Sequence, residues 1–315
     1  MPPESPSDRS ATPVAGTVAG AVAGTVAILG RPNVGKSTLL NRIVGEKLAI
    51  VSPKPQTTRN RIVGVWNGPA GQIVFVDTPG VHAGKKGLNR FMVGEALGAI
   101  RDVDAVLLLV DVFEEGPGEA EKKILSELRT GDKRAVLAIN KVDKAKDKST
   151  LLPLLTAWQS VFPFAAMVPI CALKGTNVDA LVSELCKLMP AGPPLYGPEM
   201  LTDRTERFLA AELVREQLFL KLRQELPYAV AIKIDRWEER ERGDVVIAAT
   251  ILVERESQKA IVVGKAGAMI RDVGTVARGE ITRLLDRPAH LKLEVKVAED
   301  WTTSPELLAE LGYRP

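Results

Sequence analysis

The chain has 315 residues, and this length predicts two domains rather than one. It is 45% hydrophobic and 26% charged, which is typical of a globular protein, and its net charge of +3 excludes a strongly basic surface over the whole molecule. Two cysteines are too few for a disulfide framework and two histidines exclude a histidine-rich metal site, so we expect a reduced, cytoplasmic setting.

Residues 1–24 are predicted to form a disordered, low-complexity tail, because they contain few large apolar side chains. The uncharged stretch at 11–29 is not predicted to span a membrane, since its last residues are needed as a strand. The residues before it also lack the positive charge of a signal peptide.

A phosphate-binding loop of the pattern G-x-x-x-x-G-K-S follows the predicted strand 25–29 and opens a helical pattern. The loop residues and the first helical residue are Gly30, Arg31, Pro32, Asn33, Val34, Gly35, Lys36, Ser37 and Thr38. Its glycines let successive amides face an anion, to which the helix presents the positive end of its dipole. We expect Lys36 at the β- and γ-phosphates of a nucleotide and Ser37 on the Mg²⁺ that bridges them. The alternative is an ordinary glycine turn before a helix.

A second motif, Asp77-Thr78-Pro79-Gly80, ends the apolar run 72–77. This run and residues 62–67 flank a turn and are predicted to form a hairpin. A carboxylate at the end of a buried strand suits contact with Mg²⁺ through a water, and the Gly80 amide suits contact with a γ-phosphate. In isolation D-x-P-G is a common turn, so this interpretation depends on the phosphate loop.

A third motif, Asn140-Lys141-x-Asp143, follows the predicted strand 134–139. A carboxylate at Asp143 accepts hydrogen bonds from guanine N1–H and N2–H₂, which adenine lacks, so the motif predicts guanine specificity. The alternative is a helix N-cap. Strand 167–170 then leads to a base loop, in which we expect the Ala172 amide at guanine O6 and Lys174 over the base. The alternation of strands and helices over residues 25–190 predicts a doubly wound, mostly parallel α/β domain.

A helix-breaking linker at 191–203 precedes a second predicted domain at 204–298. Residues 260–263 are predicted as a strand before the loop Gly264-Lys265-Ala266-Gly267 and a helix carrying Arg271. A GXXG loop before a helix is how KH domains clamp single-stranded RNA. Residues 255–296 carry nine Lys and Arg against five Asp and Glu, a local bias toward phosphate. A solvated helix face is the alternative for this charge. The tail 299–315 stays unassigned.

The order of these motifs resembles that of the bacterial Era GTPases, which join an α/β P-loop GTPase domain to an α+β type II KH domain. The resemblance covers about residues 25–297. It implies that Gln56, Thr57, Thr58 and Arg59 form the first switch, with Thr58, or its neighbour Thr57, joining Ser37 and Asp77 around Mg²⁺. It also implies GTP hydrolysis to GDP and binding of 16S rRNA near its 3′ end during maturation of the small ribosomal subunit. The nucleotide state would switch the RNA affinity.

The sequence departs from related patterns at three positions. Cys171 replaces a serine of the base loop, and Ala266 replaces a glycine of the GXXG loop. Val81 stands where Ras-like enzymes carry a water-orienting glutamine, so we assign no catalytic residue and expect help from a displaced group, a potassium ion or a partner.

An alternative function is a GTPase switch at the cytoplasmic face of the cell membrane, with a protein or lipid partner. DNA is not an expected partner, and a P-loop ATPase is disfavoured by Asp143.

Overall fold

The computed structural model describes residues 21–54, 57–81, 87–114, 116–145, 147, 149 and 151–313. Three parts of the sequence-based predictions lie outside the described residues. They are the tail at 1–20, Gln56 of the first switch, and residues 314–315.

The first domain is built on a six-stranded sheet in the order β2-β3-β1-β4-β5-β6. Its strands are β1 Val22–Leu29, β2 Ile62–Gly68, β3 Gly71–Asp77, β4 Ala105–Asp111, β5 Arg134–Asn140 and β6 Ala166–Pro169. Every neighbouring pair is parallel except β2 and β3, which form the predicted antiparallel hairpin. The mostly parallel, doubly wound sheet is thus confirmed.

Strand β1 begins three residues before the predicted strand, so the boundary of the disordered tail at residue 24 is wrong. Val22 pairs with Gly71 and continues the parallel register of β1 with β3. Ala23 and Gly24 have low strand propensity, which hid this part of the strand in the sequence. The small side chains are needed because Met189 and Pro190 pack against Gly24, where a Cβ would lie 2.7 Å from the Met189 sulfur.

Two apolar cores lie on the two faces of this sheet. Along β4, Leu107 and Leu109 belong to one core, whereas Val106, Leu108 and Val110 belong to the other. A strand buried on both faces needs such a continuous apolar run. The flanking helices are α1 Lys36–Val44, α2 Gly87–Gly98, α3 Glu119–Thr130, α4 Leu151–Gln159 and α5 Val178–Cys186. The motif loops follow the carboxyl ends of the parallel strands and therefore meet at one edge of the sheet.

The second domain has the order helix, strand, strand, helix, helix, strand. Its elements are α6 Glu206–Lys221, β7 Ala231–Glu239, β8 Val245–Val253, α7 Glu256–Val263, α8 Ala268–Leu285 and β9 Ala289–Val297. Strand β8 lies between antiparallel β7 and parallel β9, and α6 and α8 share the apolar core of this sheet. This topology confirms the predicted KH domain.

The predicted strand at 260–263 is wrong, because these residues end helix α7. Four apolar residues do not distinguish a strand from a short helix, and the helix-forming residues before them decide the outcome. The Gln258 side chain also accepts a hydrogen bond from the Glu254 amide at 2.8 Å, which supports the first turn. Within α7, Val262 is fully buried while Ile261 is 56% exposed, as expected for one buried helical face.

The segment between the domains is bound to the first domain along much of its length. The Gln72 side chain accepts hydrogen bonds from the Leu195 and Tyr196 amides at 2.7 and 2.9 Å. The Val65 amide of β2 donates to the Leu201 carbonyl oxygen at 2.8 Å. We call residues 195–201 the strap, since they lie along the outer side of the β2–β3 hairpin.

The C-terminal segment, unassigned in the sequence, packs between the two domains. Trp301 is fully buried and donates from its indole N–H to the Ala229 carbonyl oxygen at 3.0 Å. Trp301, with Leu308 of α9 (Pro305–Glu310), shares an apolar cluster with Phe91 and Met92 of α2. This segment therefore connects the helix after the second motif with the KH domain.

Candidate functional site

A cleft of about 470 Å³ opens at the carboxyl edge of the first sheet. Its lining combines the phosphate loop, the first switch and the base loops, and includes Lys36, Ser37, Thr58, Gly80, Asn140, Lys141, Asp143, Cys171 and Ala172. The fold thus brings residues from the phosphate loop, the first switch, the Asp77–Gly80 motif and both base loops to one place.

The phosphate loop holds a buried ammonium group. Gly35 has a φ of +107°, and a Cβ there would lie 2.3 Å from the Asn140 side-chain nitrogen, so only glycine fits. Next to it, Lys36 is 6% exposed and donates to the Gly30 and Arg31 carbonyl oxygens at 3.2 and 3.0 Å. Burial lowers the pKa of Lys36 to about 8. A buried ammonium held by carbonyl oxygens fits an anion in the loop.

Three oxygen groups predicted around Mg²⁺ meet beside this loop. The Ser37 hydroxyl lies 2.7 Å from Asp77 Oδ2 and 2.8 Å from the Thr58 hydroxyl, which in turn lies 3.3 Å from Asp77 Oδ2. The neighbouring Thr57 hydroxyl instead donates to the Lys54 carbonyl oxygen. Both threonines line the cleft, but Thr58 is the one whose hydroxyl meets Ser37 and Asp77.

The surroundings of the Asp77 carboxylate fit a cation. It is fully buried, and burial raises the pKa of Asp77 to about 6, although Lys36 and two hydroxyl groups act in the opposite direction. Its Oδ1 is buried without a hydrogen-bond partner. A buried, unpartnered carboxylate oxygen beside two hydroxyl groups fits a hard divalent cation that prefers oxygen ligands.

Asn140 joins the phosphate loop to the base loop. Its side-chain nitrogen donates to the Val34 carbonyl oxygen at 2.7 Å, and its side-chain oxygen accepts from the Ala172 amide at 2.9 Å. Beside it, Lys141 donates to the Asn33 carbonyl oxygen at 2.8 Å and to the Asp111 carboxylate at 2.5 Å. The Ala172 amide is thus bound by Asn140 here, and its contact with guanine O6 stays a prediction.

Asp143 lines the cleft together with Cys171 and Ala172 of the base loop. It forms an ion pair with Lys174 at 3.3 Å. A hydrogen bond with the Cys171 thiol, followed by the Lys174 ammonium, lowers the pKa of Asp143. The carboxylate is therefore ionised at neutral pH and ready to accept from N–H donors.

The residues after Asp77 turn away from solvent. The Thr78 hydroxyl donates to the Ile28 carbonyl oxygen at 2.8 Å, and Pro79 and Gly80 are buried. Val81 is 2% exposed, packs in the core of one sheet face, and donates from its amide to the Gly30 carbonyl oxygen at 3.1 Å. This valine has no group that could orient a water.

The GXXG loop lies between α7 and α8. Gly264 has a φ of +74°, and a Cβ there would lie 2.9 Å from the Met269 amide nitrogen. Ala266 is also left-handed, with a φ of +50°, and its carbonyl oxygen accepts from the Arg271 guanidinium at 3.0 Å. Lys265 and Gly267 complete a single tight turn.

A groove of about 570 Å³ continues from this loop between α8 and β9. Most of its lining was not predicted from the sequence, and it includes Ile270, Gly274, Thr275, Arg278, Leu291, Lys292 and Leu293. Spacing was the available signal, because residues three, four and seven positions after Arg271 share one helical face.

Among the described residues, no group of three or more His, Cys, Asp or Glu side chains could hold a metal ion. No helix in that part of the chain is long and apolar enough to cross a membrane.

Comparison with known proteins agrees with both domains. Residues 25–141 match a family model described as a 50S ribosome-binding GTPase, and residues 225–302 match a KH domain model. GTPase Era of Geobacter metallireducens is 50% identical over 289 residues, which cover 91% of this chain and 96% of that protein. The chain belongs to the Era GTPase family. Era of Lacticaseibacillus paracasei is 46% identical over 91% of this chain and 95% of its own.

Two solved Era structures have the same fold over nearly the whole chain. A variant of Aquifex aeolicus Era bound to GDP and AlF₄⁻ is 40% identical, with a TM-score of 0.89 over 93% of this chain and 100% of that one. Era bound to MgGDPNP and nucleotides 1506–1542 of 16S ribosomal RNA is 40% identical, with a TM-score of 0.90 over 94% and 100%. The predicted family, fold class and GTPase activity are thereby confirmed. As an Era GTPase, the chain hydrolyses GTP.

Proposed function

We propose that this GTPase acts with Mg²⁺ and uses its nucleotide state to control binding of the 3′ end of 16S rRNA by the KH domain. Small-subunit maturation is the process in which such a switch would act. The observation that carries the proposal is the alignment of 94% of this chain with an Era structure that holds both MgGDPNP and that RNA segment. The two sites described above lie in the two corresponding domains.

The cleft residues would contact different parts of the bound nucleotide and its Mg²⁺. Ser37, Thr58 and Asp77, the last through a water, would hold Mg²⁺, which neutralises developing charge on the phosphate oxygens. Lys36 and the loop amides bind the β- and γ-phosphates, and the Gly80 amide donates a hydrogen bond to the γ-phosphate. Asp143 selects guanine, and Asn140 keeps the two loops at a fixed distance.

Val81 leaves the attacking water without a side chain from that position. We propose a potassium ion as the additional group, because a cation near the phosphates would stabilise the negative charge that develops there, whereas the Val81 side chain offers neither charge nor a hydrogen bond. Single-turnover GTP hydrolysis in KCl and in NaCl at matched ionic strength tests this. Equal rates would leave a displaced protein group or a partner as the source.

The RNA partner is tested by affinity in two nucleotide states. The GDPNP-bound chain should bind an RNA of 16S nucleotides 1506–1542 more tightly than the GDP-bound chain does. A Gly264→Asp/Gly267→Asp variant should not bind this RNA in either nucleotide state. A large-subunit rRNA fragment is the matched control, since the model for residues 25–141 is named for the 50S subunit. Preference for that fragment would move the proposal to the large subunit.

The alternative of a membrane-surface switch receives no support from the comparisons. A cytoplasmic location agrees with a ribosomal RNA partner, and contact with the cytoplasmic face of the membrane stays a prediction. Flotation of the purified chain with vesicles of anionic lipid would detect it.

A further inference from the structure

Arg59 directly follows Thr58, yet its side chain leaves the nucleotide cleft and enters the second domain. There the guanidinium donates to the carbonyl oxygens of Val230 at 2.7 Å, Tyr228 at 3.0 Å and Pro227 at 3.3 Å. Only 2% of Arg59 is exposed. Two consecutive residues of the first switch thus contact two different domains.

Aromatic rings complete the surroundings of this guanidinium. Its central carbon lies 5.7 Å from the Phe219 ring centroid and 5.6 Å from the Trp301 ring centroid. Cation–π attraction and hydrogen bonds to carbonyl oxygens offset part of the cost of removing a charge from water. We call Phe219, residues 227–230 and Trp301 the arginine socket. It combines α6, the turn after it and the C-terminal segment.

The residues just before Thr58 are also held by the second domain. Arg215 of α6 donates to the Thr57 carbonyl oxygen at 2.6 Å and is itself buried in an ion pair with Glu212. Lys54 donates to the Leu222 carbonyl oxygen at 2.6 Å. The second domain therefore holds the chain on each side of Thr58, through the Thr57 carbonyl oxygen on one side and the Arg59 side chain on the other.

We propose that Arg59 is a positioning residue for GTP hydrolysis, and that the arginine socket holds the Thr58 hydroxyl where Mg²⁺ is coordinated. This rests on the role proposed above for Thr58. A shift of roughly 1 Å in a group at a reacting centre lowers a rate by up to about 100-fold. The KH domain is then part of what makes the first domain an efficient enzyme. By thermodynamic reciprocity, coordination by Thr58 favours the docked arrangement of the domains.

The test compares variants of the full chain by single-turnover GTP hydrolysis and by GDP affinity. Arg59→Ala should lower the single-turnover rate constant by about 10- to 100-fold, while the Kd for GDP stays within about twofold. GDP binding is retained because the phosphate loop and base loops do not involve Arg59. Arg59→Lys should recover part of the rate, since an ammonium still donates to a socket carbonyl. Arg61→Ala is the matched control, because Arg61 is an exposed arginine of the same segment.

A double variant separates positioning from general weakening of the fold. If Arg59 acts through Thr58, Thr58→Ala/Arg59→Ala should hydrolyse GTP no more slowly than Thr58→Ala. A double variant whose rate loss is the product of the two single losses would overturn the proposal. An Arg59→Ala single-turnover rate constant within about twofold of that of Arg61→Ala would overturn it too. If Arg59→Ala loses GDP binding, the same comparison is made with Arg59→Met, whose side chain is long and apolar but has no hydrogen-bond donors. If Thr58→Ala hydrolysed GTP at the wild-type rate, the role proposed for Thr58 would be refuted instead.

Discussion

Replacement of Asn140 tests whether one side chain holds the phosphate loop and the base loop together. Asn140→Ala leaves the Val34 carbonyl oxygen and the Ala172 amide, both buried partners in the structure, without their hydrogen bonds. Each buried group left unpaired costs about 1–3 kcal/mol, so the loss for the two groups is about 2–6 kcal/mol. Because these two hydrogen bonds hold the phosphate loop and the base loop in the arrangement that forms the cleft, we expect GDP affinity to fall by at least about 30-fold.

Asn140→Asp sharpens this prediction, since it changes one atom. The aspartate still accepts from the Ala172 amide, but it places a carboxylate oxygen against the Val34 carbonyl oxygen, at the 2.7 Å now spanned by a hydrogen bond. Near pH 8 it should therefore bind GDP more weakly than the alanine variant does.

The assay is titration with a fluorescent GDP analogue, beside thermal unfolding of each variant. Asn67→Ala is the control, because Asn67 is an exposed asparagine whose amide donates to the Pro198 carbonyl oxygen away from the cleft. An Asn140→Ala affinity within about threefold of that control would refute the bridging role.

Three more changes have defined outcomes. Gly35→Ala should abolish GDP binding in the same titration, because its Cβ would lie 2.3 Å from the Asn140 side-chain nitrogen at a φ of +107°. Trp301→Ala should lower the free energy of unfolding in urea by about 3–5 kcal/mol, and an unchanged midpoint would show that the C-terminal segment is dispensable. Burial, and after it the nearby Glu121 carboxylate, raises the pKa of Glu114 to about 7. Ionisation of Glu114 therefore destabilises the folded chain as the pH rises from the pKa of Glu114 in the unfolded chain to about 7. Glu114→Gln should therefore unfold at a higher temperature than wild type near pH 8, and the gain should vanish near pH 4.

The nucleotide site could be predicted from sequence because its groups lie in short motifs at the ends of strands. The spacing of Lys36 and Ser37, and the position of Asp77 after a buried strand, carry their geometry with them. The choice between Thr57 and Thr58 required the structure, since both have the same neighbours in the chain. Contacts over long separations decide that choice, and sequence spacing does not encode them.

Less of the second domain could be predicted from the sequence, again because contacts between distant parts of the chain determine its structure. The apolar residues of α7 number too few to show a period, and Trp301 looks like an isolated aromatic in a polar tail. Its burial depends on α2 and on residues 227–230, which meet only when both domains are in place. Sequence patterns report local structure, whereas the arginine socket is assembled from segments separated by up to about 80 residues.

The strap has a consequence for how the chain avoids association with its own copies. Strand β2 is an edge strand, and its apolar Val63 and Val65 would otherwise offer unpaired backbone groups to a strand of another molecule. The Val65 amide already donates its hydrogen bond to the Leu201 carbonyl oxygen. Cleavage within residues 195–201 should thus expose a template for edge-to-edge pairing, so that the connection between the domains also works as a guard against aggregation.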